Sequence, residues 1–481
     1  MAYKDLNEFI RVLKKNRELV RITEPVSPIL EITEIVDRVS KKGGPALLFE
    51  NVVGHDMPVA INLFGSAKRM NLALEVDSLD SLAQRVISFL DMEKPEGFMD
   101  KIRMLPRLKQ MGDVFPKTVK NGPCQEVVHT EDVDINKMPV LKCWPGDGGR
   151  FITMPLVITK HPETGQTNMG MYRMQLFDKS TTGMHWHPHK GGAHHYRVAQ
   201  RRGERLEVAV AIGADPATCY TATAPLPEDV DEIMLAGFLR RKPVELVQCL
   251  TVDLKAPANA QIVLEGYVEP GEKRREGPFG DHTGFYSLAD DFPVFHVTCM
   301  TRRKDPIYAT TIVGRPPMED GFLGKATERL FLPLLQKTLN EVVDYNLPVE
   351  GVFHNFALVS IDKRYPGHAR KVMHALWGLG QMMFAKFIVI FDKEVNVQDL
   401  SEAMWYLGNN VDPQRDVCFV TGPVDALDHA SPLPNLGSKM GIDATRKWRE
   451  EGHSREWPEV ITMDSDVIQK VDALWSKLKL D

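Results

Sequence analysis

Apolar residues at Leu6, Phe9, Ile10 and Leu13 recur at helical spacing, which predicts a helix over 5–16 capped by Asp5 or Asn7. The same spacing predicts helices over 29–41, 77–90 and 100–110, and the apolar runs 46–49 and 59–64 read as strands. The opening third is therefore mixed α/β. From Val114 to Arg315 the pattern changes to short β-branched runs broken by Gly, Pro, Asn and Asp: 156–159, 207–212, 262–264 and 293–298. That pattern predicts a mainly antiparallel sheet or barrel with long loops, interrupted by one helix over 229–239. Beyond it, helices over 325–339, 368–380 and 397–407 alternate with strands over 357–361, 387–391 and 416–420. This alternation predicts a small doubly wound parallel sheet. An amphipathic helix over 464–480 carries Val467, Ile468, Val471, Leu474 and Trp475, a face suited to core packing, subunit packing or a membrane surface.

Composition narrows the classes. At 481 residues, 43% apolar and 26% charged, the chain has ordinary globular composition and room for two or three domains. A net charge of −6 implies no broad basic face, so nucleic acid is not the expected partner. No apolar run approaches the ~18 residues of a membrane span. The opening residues lack the pattern of a signal peptide, and the cytosol is the expected compartment. The six cysteines form no Cys-x-x-Cys pair and read as buried small hydrophobes. The phosphate loop, the complete Gly-x-Gly-x-x-Gly and His-Glu-x-x-His are all missing.

Two stretches carry unusual chemistry. Five of the 15 histidines crowd into one window, at 185, 187, 189, 194 and 195. Imidazoles there could ligate a metal, meet a phosphate or relay protons, and in a strand 185, 187 and 189 would point the same way. The second stretch runs from Glu276 to Tyr286. Its two carboxylates, Glu276 and Asp281, stand five residues apart across Gly and Pro with a histidine beside them. A bent backbone could aim both at one substrate as acid and base. Arg173 lies among Met169, Met171 and Met174. Burying it needs a protein carboxylate, a carboxylate substrate or a phosphate, unless it ends a strand in water. Glu232 reads as an exposed helix residue. The residue types alone suggest an acid–base enzyme holding a phosphorylated cofactor beside a metal, and do not name that cofactor.

Eight segments in family order resemble the UbiD family of prenylated-flavin-dependent decarboxylases, particularly its 4-hydroxy-3-polyprenylbenzoate branch. They are Pro45–Asn51, Asn168–Arg173, His189–Ala193, Gly213–Thr218, Val263–Tyr267, Glu276–Gly284, Gly314–Pro317 and Leu436–Gly441. The Glu276–Gly284 string is the most specific. The resemblance implies prenylated FMN, a divalent metal (Mn2+ or Mg2+) and K+ in many members. It implies that Asn168, His189 and Glu232 bind a metal bridging the cofactor phosphate. It implies that Met171, Tyr172, Arg173, His185, Trp186, His187, Lys190 and Gly191 line the cofactor. It makes Arg173, Glu276 and Asp281 the catalytic set. The segment His185–His189 has more histidines than related strings, which leaves the individual roles of His185 and His187 open. The implied architecture is an N-terminal α/β region (1–113), a central split β-barrel flavin domain (114–320) and a C-terminal α/β oligomerisation domain (321–481). Implied partners are an aromatic acid, a flavin prenyltransferase that supplies the cofactor, and further copies in a dimer or hexamer.

On this resemblance the reaction is non-oxidative decarboxylation. Asp281 delivers the proton that replaces CO2, and burial is expected to raise its pKa. The branch implies a 4-hydroxy-3-polyprenylbenzoate of ubiquinone synthesis, met by peripheral contact with the inner membrane surface. A dihydroxynaphthoate of menaquinone synthesis is the alternative within the class. Outside it stand a metal-dependent hydrolase built on the 185–195 histidines and a flavin carrier without catalysis.

Overall fold

The computed structural model describes residues 2–90, 112, 114–187, 190–226 and 230–478. The helix expected over 100–110 lies outside them. The first helix is Leu6–Lys15, whose Asp5 side chain accepts from Glu8 N and whose Leu6, Phe9, Ile10 and Leu13 are buried. Helix Glu31–Lys41 and the small sheet Leu19–Ile22, Ala46–Phe49, Val59–Ile61 follow. Tyr308–Ala309 joins that sheet in parallel beside Val59–Ile61, which ties the N-terminal part to the end of the central one.

The central sheet runs in the order Thr181–Gly183, Asp290–Arg302, Ile262–Glu276, Leu206–Ile212, Pro155–Lys160, Thr167–Met171. Every neighbour in it is antiparallel, and Val127–His129 pairs beside Asp290–Arg302. Strand Ile262–Glu276 is buried over its first half and reaches into solvent before burying Glu276 at its end. It kinks at Glu265/Gly266, where a Cβ on Gly266 would stand 1.8 Å from the carbonyl oxygen of His296. No other residue fits that crossing. Strand Thr167–Met171 sits at one edge of the sheet, and Arg173 lies two residues beyond it.

The structure corrects several expectations. Among the described residues no ladder joins the two edges of the central sheet, so a split barrel is not formed by strand pairing. One helix was expected to interrupt this region. Besides Glu232–Arg240, helices Gly191–Arg202 and Pro216–Thr221 are present. The C-terminal sheet is mixed rather than wholly parallel. Phe356–Ile361, Phe387–Asp392 and Leu436–Asp443 are parallel, with Val342–Asn346 and Val417–Pro423 antiparallel at the edges. Helices Glu319–Thr338, His368–Trp377 and Leu400–Asn410 accompany it.

The terminal helix Ser465–Leu478 has no buried residue; its apolar face, including Leu474 and Trp475, stays exposed, so it is not core packing within this chain. No helix among the described residues is long and apolar enough to cross a membrane. Five of the six cysteines are buried and Cys418 is half-buried, all as free thiols.

Candidate active site

The site is organised around Arg173. Its Nη1 donates to Asp281 Oδ2, its Nε to Glu276 Oε1 at 3.3 Å, and its Nη2 to Ser287 Oγ at 3.0 Å. The three charged side chains are 10%, 0% and 8% exposed for Arg173, Glu276 and Asp281. Burial on that scale costs several kcal/mol per ion unless the charges pair. One guanidinium fork serving two carboxylates and a hydroxyl satisfies the requirement, and a lysine could not reproduce it. The plane of Arg173 also rests 4.6 Å from the Phe279 ring.

The backbone around Asp281 is held from outside the site. Asp147 accepts from Gly280 N and Trp144 N, both at 2.8 Å, and Gln175 Oε1 accepts from Gly277 N at 2.7 Å. Phe279–Gly280 then pairs with Tyr286–Ser287 as a two-strand turn. Glu276 accepts from His185 Nδ1 at 2.7 Å. A Cβ at Gly183 would stand 2.4 Å from Glu276 Oε2, so glycine is required where that carboxylate packs.

Asp281 departs from expectation. Burial does push its carboxyl upward, but Arg173 and His282 outweigh burial and hold it below the ordinary carboxylate range. The expected raised pKa is therefore overturned, and the resting group is a carboxylate. His282 donates to it from both its backbone N and Nδ1, each at 2.8 Å to Oδ1. On its other side His282 Nε2 meets His354 Nε2 at 3.0 Å.

A cavity of about 180 Å3 opens here, lined by Met171, Tyr172, Arg173, His185, His187, Lys190, Asp281 and His282, with Phe279, Val313 and Leu427 among its apolar walls. His185 and His187 touch edge to face, with centroids 4.7 Å apart. Burial lowers the pKa of both rings and of Lys190. Trp186 turns away and packs on Tyr196. A Cβ on Gly191 would meet the Asn168 amide at 2.8 Å. Glu276 Oε2 and His185 Nε2 are buried without a hydrogen-bond partner among the described residues. Buried polar atoms are usually paired, so such a cluster at a cavity fits a polar ligand.

Glu232, read from its local pattern as an exposed helix residue, is buried. It opens helix Glu232–Arg240 and accepts from Asn168 Nδ2 at 2.8 Å and from Met169 N at 2.9 Å. Asn168 Oδ1 in turn accepts from Tyr172 Oη at 3.2 Å. Burial pushes Glu232 up to about 7, with the neighbouring Asp231 adding to the rise and the hydrogen bonds of Met169 and Asn168 opposing it. Carboxylate and amide oxygens suit Mn2+ or Mg2+. His189 lies outside the described residues. Among the described residues no three His, Cys, Asp or Glu side chains converge as a metal cluster.

The 185–195 histidines therefore do not act as one group. His185 and His187 face the cavity, whereas His194 and His195 sit on helix Gly191–Arg202 beside His161, with His195 Nδ1 2.9 Å from Thr159 Oγ1. This division removes the basis for a hydrolase built on the whole cluster. Ser287, Asp147, Gln175 and His354 escaped the reading of the sequence. None carries a local signal, and His354 stands 72 residues from His282.

Comparison with known proteins agrees along the chain. Models of the 3-octaprenyl-4-hydroxybenzoate carboxy-lyase family match residues 10–86 (N-terminal domain), 117–316 (Rift-related domain) and 321–444 (C-terminal domain). An uncharacterised protein of Aquifex aeolicus is 56% identical over 100% of this chain and 99% of its own. The vanillic acid decarboxylase of Sedimentibacter hydroxybenzoicus in closed form superposes with a TM-score of 0.87 at 28% identity, covering 100% of both chains. The UbiD-class enzyme HmfF of Pelotomaculum thermopropionicum, in complex with FMN, gives 0.82 at 29% identity, covering 97% of this chain and 99% of that one. With the family models spanning the N-terminal, central and C-terminal parts, the chain belongs to the UbiD family and is a carboxy-lyase of that class.

Proposed function

We propose that the protein decarboxylates an aromatic acid with prenylated FMN and a divalent cation. The observation that carries this reading is Arg173 shared between Glu276 and Asp281 at the wall of the cavity. Relatives lend support: vanillic acid decarboxylase handles an aromatic acid, and HmfF has structures with FMN and with prenylated FMN. In this reading Asn168, Glu232 and His189 hold the cation, and Tyr172, His185, His187, Lys190 and Gly191 surround the flavin. Prenylated FMN, when bound, supplies the electron acceptor for the charge left as CO2 departs. The protein's own part is orientation and proton placement. Arg173 fixes both carboxylates, His185 and Glu276 hold each other in one arrangement, and Asp281 Oδ1 or Oδ2 presents a proton to the carbon that loses CO2.

If Asn168 and Glu232 share a cation with the flavin phosphate, Glu232→Ala or Asn168→Ala loses metal and flavin together. Metal analysis and flavin absorbance of the purified variants check this, and full flavin occupancy without metal defeats the bridge.

For the substrate we favour an apolar-tailed 4-hydroxybenzoate, a ubiquinone precursor, over a dihydroxynaphthoate. Phe285 and Leu288, in the segment that carries Asp281, are exposed, Leu288 to 88%. Such side chains suit a tail leaving a small polar cavity. Holo-enzyme assayed on 4-hydroxybenzoates of increasing prenyl length should gain kcat/KM with length. A flat series, or a winning naphthoate, removes this substrate and keeps the decarboxylase. A homo-oligomer joined through the C-terminal part belongs to the same proposal.

A further inference from the structure

Asp281 poses a supply problem. Replacing a carboxylate by hydrogen consumes one proton per turnover, yet Arg173 and His282 keep Asp281 ionised in the resting site. A proton must therefore reach it each cycle from elsewhere. Its two oxygens are divided: Oδ2 takes Arg173 Nη1, whereas Oδ1 takes the backbone N and Nδ1 of His282. Burial lowers the proton affinity of His282, but Asp281 first and then Asp320 and Asp425 outweigh it and raise the ring's pKa. In its neutral form with the proton on Nδ1, the imidazole presents Nε2 as an acceptor. That atom faces His354 Nε2 at 3.0 Å. Asp281, His282 and His354 are thus joined in series by two short hydrogen bonds, and the series starts in the C-terminal part of the chain.

The backbone is shaped for this contact. Val352 and Phe353, immediately before His354, both adopt positive φ, 47° and 49°. A β-branched and an aromatic residue in succession in the left-handed region are strained and persist only where surrounding structure imposes them. Phe353 also stacks on His282, centroids 5.3 Å apart with planes at 20°, and fixes that ring's orientation. Two carboxylates besides Asp281 face the pair. Asp320, at the start of helix Glu319–Thr338, raises the proton affinity of His282, and Asp425, after strand Val417–Pro423, does so for both rings. Burial and the neighbouring His282 hold His354 at about 4, so it is a neutral donor at ordinary pH.

Building on the decarboxylase reading, we propose that His354 and His282 form a proton relay that recharges Asp281 between turnovers. The Nδ1 proton of His282 moves to Asp281 Oδ1, which breaks an N–H bond and makes an O–H bond. His282 Nε2 takes the Nε2 proton of His354, and His354 takes one at Nδ1, an atom buried without a hydrogen-bond partner among the described residues, from a water admitted to it during the cycle. No electrons change hands, and the net event is one proton from solvent to Asp281. Both rings then regain their starting tautomers by exchange. His282 and His354 act through Asp281 and are positioning residues.

The experiment combines His354→Gln and His282→Gln in the holo-enzyme with 15N-imidazole NMR of the parent. The relay predicts His282 as the Nδ1–H tautomer at neutral pH. It also predicts kcat lowered about 10- to 100-fold in H354Q, with KM within about threefold and a shifted pH–rate profile. An Nε2–H tautomer for His282 overturns it. So does an H354Q enzyme with parental kcat and pH profile. If H354Q fails to fold, the tautomer of the parent decides. If no aromatic acid is turned over, the decarboxylase reading fails and the tautomer still decides the relay.

Discussion

Asp281→Asn should bind cofactor as the parent does and lose at least about 100-fold in kcat, toward the range expected when a general acid is removed. The substitution keeps the shape of the side chain and an oxygen for Arg173. It removes the carboxylate whose Oδ1 accepts from His282, the ring that meets His354. It also places an amide nitrogen where a second acceptor stood, opposite either Arg173 Nη1 or His282 Nδ1. A rate within about tenfold of the parent would assign the proton to another group. Stability gives a second readout. The folded pKa of Asp281 is depressed, so its stabilisation is complete above the ordinary carboxylate pKa and is lost as pH falls through the depressed folded value. Acid denaturation of D281N should therefore be less steep than that of the parent, measured by circular dichroism between about pH 5 and 2.

The parts of the molecule that were readable in sequence follow from periodicity. The core-facing pattern of Leu6, Phe9, Ile10 and Leu13 and the β-branched runs of the central sheet report burial directly, and the elements formed there. Strand Leu436–Asp443 was hidden because glycines at 437 and 441 and Ser438 weaken its β signal; pairing on both sides holds it in the sheet. Helix Gly191–Arg202 was hidden by the opposite error. Its Gly-Gly-Ala-His-His start resembles a ligand loop, whereas here the glycines give room to Asn168 and Trp186 at the helix entrance. Burial of Asp281 was foreseeable, but the sign of its shift depends on whether a guanidinium reaches it. That contact spans 108 residues of sequence. Glu232 shows the same limit: in its local context it is one acidic residue in a first helical turn, and its meaning comes from Asn168 and Met169 across the fold.

Removing the guanidinium should produce the largest loss of stability in the site. In Arg173→Ala, Glu276 at 0% and Asp281 at 8% side-chain exposure lose the cation that they share. Breaking one partner out of a buried ion pair costs about 3–5 kcal/mol, because the remaining charge is left without compensation. His185 offers little relief, since burial and Arg173 itself keep its ring from holding a proton, although loss of Arg173 lifts one of those two causes. The site's cheapest response is to bind a proton at one carboxylate, whose pKa then rises above its unfolded value. A carboxyl with a raised folded pKa is stabilising below its unfolded pKa, and that contribution disappears as pH rises through the folded one. The deficit of R173A against the parent should accordingly be largest near pH 8 and shrink toward pH 5 in thermal or urea unfolding. Arg173→Lys separates charge from geometry. One ammonium neutralises a carboxylate but cannot span Glu276, Asp281 and Ser287 in a fixed plane, so R173K should recover most of the stability and little of the rate. An R173A protein as stable as the parent at pH 8, or an R173K enzyme at parental rate, would show that the two carboxylates are organised by something other than this guanidinium.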